Sequence, residues 1–90
     1  MTIKHEKSQM RFTMNTDSDP AHLDYRMHDG TMALMHTNVP APERNKGYAA
    51  DLAKYALEYA RKHELKVVAY CPFVKSYLET HPQEADVLAV

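Results

Sequence analysis

A single cysteine, Cys71, rules out an internal disulfide, so this chain folds without covalent cross-links. No apolar run approaches the roughly 20 residues that cross a bilayer as a helix. The first residues, MTIKHEKSQ, are polar and lack the apolar centre of a signal peptide. Neither sign of charge dominates: 11 Lys and Arg against 12 Asp and Glu give a formal net charge of −1. No global basic field is therefore available to hold a phosphate backbone, which disfavours a nucleic-acid partner. Together these absences predict a reduced, cytoplasmic protein with no membrane span. The 90 residues, 44% hydrophobic and 26% charged, have an ordinary globular composition and predict one domain over 1–90, a monomer or small homo-oligomer.

The first forty residues alternate like strands. MRFTM places Met10, Phe12 and Met14 on one face. AHLDYRMH places Ala21, Leu23, Tyr25 and Met27 on one face and His22, Asp24, Arg26 and His28 on the other. Asp29-Gly30 then separates it from TMALMHTNV, a strong hairpin signal between two alternating runs. In this third strand Met32 and Leu34 share one face, while Ala33, Met35 and Val39 share the other, so a central strand covered on both faces is expected. Strict alternation also puts His36 on the side of Met32 and Leu34. Pro40 and Pro42 end the strand.

From about Arg44 to His63 the apolar period becomes helical, with Ala49, Leu52, Ala53, Ala56, Tyr59 and Ala60 at three- and four-residue intervals. KVVAYC reads as a short strand closed by Pro72, and FVKSYLETH as a second helix. The tail PQEADVLAV has no clear pattern. Strand, helix and strand from Met32 to Tyr70 form a right-handed βαβ crossover, giving an α/β fold: a mixed sheet with helices on its faces. Ligands of such sheets sit beyond the strand ends, beside helix N-termini.

RNKGYA lies at that edge. Its glycine lets backbone approach a ligand, and the N–H groups of a helix start attract an anion. The plain alternative is a helix with a basic first turn. No Gly-Lys-Ser/Thr follows, and only one glycine of a dinucleotide fingerprint is present.

The pattern from Arg44 to Ala49, after HTNVP and before a helix and strand, resembles the acetyl-CoA motif of the GNAT N-acetyltransferase superfamily. With YALEYARKHELKVVAYCPFVKSYLETHP and the short length, the chain from about His22 to Pro82 is similar to a small GNAT-like subfamily of about a hundred residues. The resemblance implies a mostly antiparallel sheet whose parallel pair splays apart to admit the pantetheine arm of acetyl-CoA. It further implies that the pyrophosphate rests on the backbone of Asn45, Lys46, Gly47, Tyr48 and Ala49, with Arg44 and Lys46 as added charge. The oxyanion donor would be a backbone N–H near Thr37 to Val39.

For the chemistry, the resemblance offers Tyr77 as proton donor to the coenzyme A thiolate; packing is the other reading. Cys71 lines the site, accepts the acetyl group, or is simply a buried small hydrophobe. His36 is either a general base or hydrogen-bonded to a loop. No histidine has a His or Cys partner at ligand spacing, so no metal site is expected. The implied activity is N-acetyl transfer to an amine, a small molecule or a protein. A binding module for acyl-CoA with little or no catalysis is the alternative. At this length the resemblance implies a domain without the N-terminal helices with which many GNAT enzymes shape the acceptor pocket.

Overall fold

Five strands form in the computed structural model of the chain, which is described over residues 2–89. They are β1 (Ile3–Glu6), β2 (Arg11–Met14), β3 (Ala21–His28), β4 (Thr31–Asn38) and β5 (Lys66–Ala69). Two α-helices, α1 (Tyr48–Lys62) and α2 (Pro72–Thr80), follow β4 and β5. The strands lie in chain order, antiparallel throughout except for the parallel pair β4 and β5. This is the mixed α/β sheet that the sequence predicts. The β3–β4 hairpin turns at Asp29 and Gly30, both left-handed at φ 48° and 78°, as a two-residue hairpin turn of this kind requires.

β1 falls in the polar stretch MTIKHEKSQ, where the sequence predicts no element. IKHE carries two inward side chains, too few for a visible pattern, and one of them is a histidine. His5 stacks on Phe12 at 4.4 Å, meets Tyr59 edge-on and hydrogen-bonds the Tyr25 hydroxyl, so an imidazole serves as a core residue. Burial, with Lys7 and His63 nearby, lowers its pKa and keeps it neutral.

The core lies on one face of the sheet. Phe12, Met14, Ala21, Leu23, Tyr25, Met32, Leu34 and Val67 are buried there, because residues paired across strands point the same way. Leu52, Ala53, Ala56, Leu57 and Ala60 of α1 close over them, joined by Val74 of α2. Both helices pack on this face and on each other. Neither covers the opposite face. Met35 there is 40% exposed, so β4 is flanked by strands on both edges but wet on one face.

A β-bulge breaks the alternation of β4. Tyr25 pairs with Leu34 but Asp24 pairs with His36, leaving Met35 as an extra residue. His36 therefore joins Asp24 on the open face, not Met32 and Leu34 on the core face. This corrects the position that strict alternation gives it.

The helix α1 starts at Tyr48, four residues later than its apolar period suggests. Asn45 and Gly47 are left-handed, at φ 66° and 83°, and cannot belong to a right-handed helix. Arg44 to Gly47 is a turn before the helix, and the first turn of α1 holds Asp51 instead of a basic residue. At the other end Leu65 N–H donates to Ala60 O at 2.8 Å and Glu64 N–H to Arg61 O at 3.3 Å, a Schellman closure with Glu64 left-handed at φ 56°. The tail then runs in 3₁₀ turns over Pro82–Val87 and docks beside β5, where Ala89 N–H donates to Val67 O. Arg61 fixes it through Glu84 at 2.8 Å and Asp86 at 2.6 Å. Glu64→Gly removes the left-handed strain and is expected to stabilise the fold by about 0.5–1 kcal/mol, a rise of roughly 4 °C in Tm. A fall in Tm in a thermal melt would contradict this closure.

Candidate functional site

β4 and β5 stop pairing at Leu34 and Ala69. The carbonyl of Leu34 accepts from both Tyr70 N–H and Cys71 N–H, each at 3.0 Å, and no later residue of β5 pairs with β4. β4 runs on to Asn38 with that edge unpaired, while the chain beyond β5 turns into α2 at Pro72. A cleft of about 540 Å³ opens between the two. Thr37, Asn38 and Val39 form its strand wall, and Phe73, Ser76, Tyr77, Thr80 and His81 its α2 wall.

The N-terminus of α1 closes the end of this cleft. Asp51 N–H is the first with a helical acceptor, Gly47 O at 3.0 Å, and no side chain caps the helix. The N–H groups of Tyr48, Ala49 and Ala50 thus lack helical partners, and Gly47, Tyr48, Ala49 and Ala50 all line the cleft. A Cβ at Gly47 would meet open space, so glycine is required there by its φ alone. Partial positive charge from the helix end and the Arg44 guanidinium meet at the same place. Arg44 is held by its Nε, which donates to Val39 O at 3.0 Å.

Of the residues that the sequence nominates, Thr37, Val39, Arg44, Asn45, Gly47, Tyr48, Ala49 and Tyr77 come together around the cleft. Lys46 does not line it. Its Nζ donates instead to Glu43 Oε1 at 3.0 Å. Cys71 is fully buried beneath the strand wall, its Sγ 3.2 Å from Thr37 Oγ1, so the thiol is shut off from solvent. His36 stands on the other side of the sheet.

Glu43 escapes sequence reasoning. It is 3% exposed yet lines the cleft, and its only sequence signal is the opposite charge three residues on. The hydrogen bond from Lys46 holds its carboxyl below the usual range, against the opposing effect of burial. Lys46 is raised by the same contact. The α2 wall is also missed apart from Tyr77, although Phe73, Ser76, Tyr77 and Thr80 share one helical face. The Tyr77 ring stacks on His81 at 4.1 Å. Burial, then the negative field of Glu84, Glu58 and Asp51, raises the phenol pKa and keeps its proton in place at neutral pH.

A strand edge freed by divergence, an uncapped helix start and a cleft between them are set in a mixed α/β sheet of the GNAT class. The chain belongs to the GCN5-related N-acetyltransferase family, whose model matches residues 11–87. It is similar to Protein NATD1 of Gallus gallus, 31% identical over 83 residues that cover 89% of this chain and 76% of that protein. Protein NATD1 of Homo sapiens is likewise 31% identical, over 89% of this chain and 74% of its own. A GCN5-like protein of Staphylococcus aureus, known from an NMR solution structure, superposes with a TM-score of 0.75 at 30% identity, over 97% of this chain and 86% of that one. No helix among the described residues is long and apolar enough to cross a membrane.

The Glu43 to Lys46 contact sets a pH dependence. A carboxyl that titrates lower in the folded chain than in the unfolded one contributes stability at neutral pH, lost as pH falls through its folded value. Lys46, raised on folding, loses its contribution only as pH rises through its own folded value. In an NMR titration the Glu43 carboxyl carbon is expected to turn below the ordinary glutamate range, and Lys46→Met to move that midpoint upward. A midpoint unaffected by Lys46→Met would contradict the pairing.

Proposed function

We propose that this chain binds acetyl-CoA in the cleft and transfers the acetyl group to an amine, from a cytoplasmic location. The observation that carries the reading is the uncapped start of α1 at the closed end of a cleft whose long wall is an unpaired strand edge. Free N–H groups from Gly47 to Ala50, with Arg44 beside them, suit a pyrophosphate. The β4 edge at Thr37 and Asn38, with the N–H of Val39 just beyond it, offers backbone partners to the amides of a pantetheine arm and an N–H for a developing oxyanion. When bound, acetyl-CoA supplies the activated thioester.

The chain's own residues supply the rest. Tyr77, buried enough to keep its proton, is suited to protonate a departing thiolate. Cys71 is less suited to a covalent role: full burial and a hydrogen bond to Thr37 leave it without the exposed, electropositive setting of a reactive thiol. It supports Thr37 and the strand wall instead. His36 acts from the open face or not at all.

The same facts favour a second reading, an acyl-CoA-binding or sensing module with weak catalysis. Glu43, the one carboxylate found lining the cleft among the described residues, is engaged by Lys46 and so is a poor base.

Thermal melts with acetyl-CoA test the cofactor. Ligand at about 100 times its Kd stabilises by about 2.7 kcal/mol, roughly a 14 °C rise for a chain of this size. Gly47→Asp and Gly47→Asn share the left-handed strain and differ by one charge. The asparagine variant is expected to keep the cofactor shift and the aspartate variant to lose it. No shift of the parent chain at millimolar acetyl-CoA would overturn the reading. Mass spectrometry of a panel of amines then separates enzyme from sensor: an enzyme acetylates at least one of them, and Tyr77→Phe slows it by on the order of a hundredfold.

A further inference from the structure

We infer that the open face of the sheet carries a binding site for a divalent transition-metal ion of the zinc class, formed by His22, Asp24 and His36. His22 and Asp24 are two apart on β3 and so point to the same side. The bulge at Met35 brings His36 directly opposite Asp24. His22 Nδ1 lies 3.1 Å from Asp24 Oδ1, and His36 Nε2 lies 3.6 Å from Asp24 Oδ2. The donor atoms of all three residues fall within 4.8 Å of one another.

A tetrahedral ion with bonds of about 2.0–2.1 Å holds its donors about 3.3 Å apart; each oxygen of Asp24 lies near that distance from one imidazole, and one donor atom from each residue already falls within 4.8 Å of the others. The set tightens by rotation of His36, whose side chain is 64% exposed and free to turn. Two imidazoles and one carboxylate favour zinc, cobalt, nickel or copper over magnesium or calcium, which take all-oxygen sets. Three protein donors leave a fourth position to water, on the solvent side.

The surroundings fit in one respect and oppose in another. Coordination through Nδ1 leaves the His22 proton on Nε2, in need of an acceptor. Thr13, paired directly across from His22, carries a buried hydroxyl with no partner among the described residues. Against this, Arg11 Nε donates to Asp24 Oδ1 at 2.9 Å and competes for the carboxylate. The guanidinium leaves Oδ2 to the metal and weakens the site without blocking it. The ion would lie across the sheet from Cys71 and the cleft, clipping β3 to β4 at the bulge.

Calorimetric titration of the full chain with zinc chloride at neutral pH tests the site. One ion per chain is expected, with His22→Ala and His36→Ala each weakening uptake more than the roughly tenfold to hundredfold cost of losing an outer-shell partner. Arg11→Gln, which frees Oδ1 and removes a positive charge, tightens it by about tenfold. Cys71→Ser and His28→Ala leave it unchanged. In the unaltered chain, zinc is expected to shift the imidazole nitrogens His22 Nδ1 and His36 Nε2 in ¹⁵N spectra. No uptake at micromolar zinc, uptake indifferent to His22 and His36, or shifts confined to other histidines would overturn the assignment.

Discussion

The carbonyl of Leu34 takes two hydrogen bonds, from Tyr70 and Cys71, and there the β4–β5 ladder ends. A strand normally offers one acceptor per partner residue, so the doubled bond marks the point where β5 peels away and the chain turns into α2. Everything at the candidate site depends on this divergence. It frees the β4 edge and gives the start of α1 a cleft to face. It also puts Cys71 beneath Thr37, where the thiol supports the wall from inside the core.

The bulge at Met35 is the second determinant, one residue past that carbonyl. It reverses which side chains of β4 face inward, so Thr37 returns to the core side and His36 leaves it. The same irregularity thus serves two faces. On the helix-covered face it lets the strand end wall a cleft. On the open face it assembles His22, Asp24 and His36, residues that share no ligand spacing along the chain. With both helices docked on one side, the other remains accessible to an ion or to a partner.

Much of the fold was legible because its signals are local. Alternation in AHLDYRMH, the Asp-Gly hairpin and the helical period of α1 each act within a few residues, and the basic Gly-containing turn marks the helix start. What stayed hidden depends on pairing across the chain. β1 is specified by His5 packing among Phe12, Tyr25 and Tyr59, aromatic residues far along the sequence. The bulge leaves no mark in TMALMHTN, and without it alternation assigns His36 to the wrong face. Likewise Lys46 reads as a phosphate ligand until Glu43, buried beside it, claims its ammonium. The tail gives no periodicity, since its placement rests on Arg61 reaching Glu84 and Asp86.

In the proposed function the uncapped helix start and the unpaired strand edge form one ligand surface. Backbone amide mapping by ¹H–¹⁵N NMR during titration with coenzyme A tests this most directly, since it reads each N–H separately and needs no turnover. The largest shifts are expected at Gly47, Tyr48, Ala49 and Ala50, with a second set at Thr37, Asn38 and Val39, and none at His22 or Asp24 on the open face. Shifts centred elsewhere, or none at millimolar coenzyme A, would contradict it.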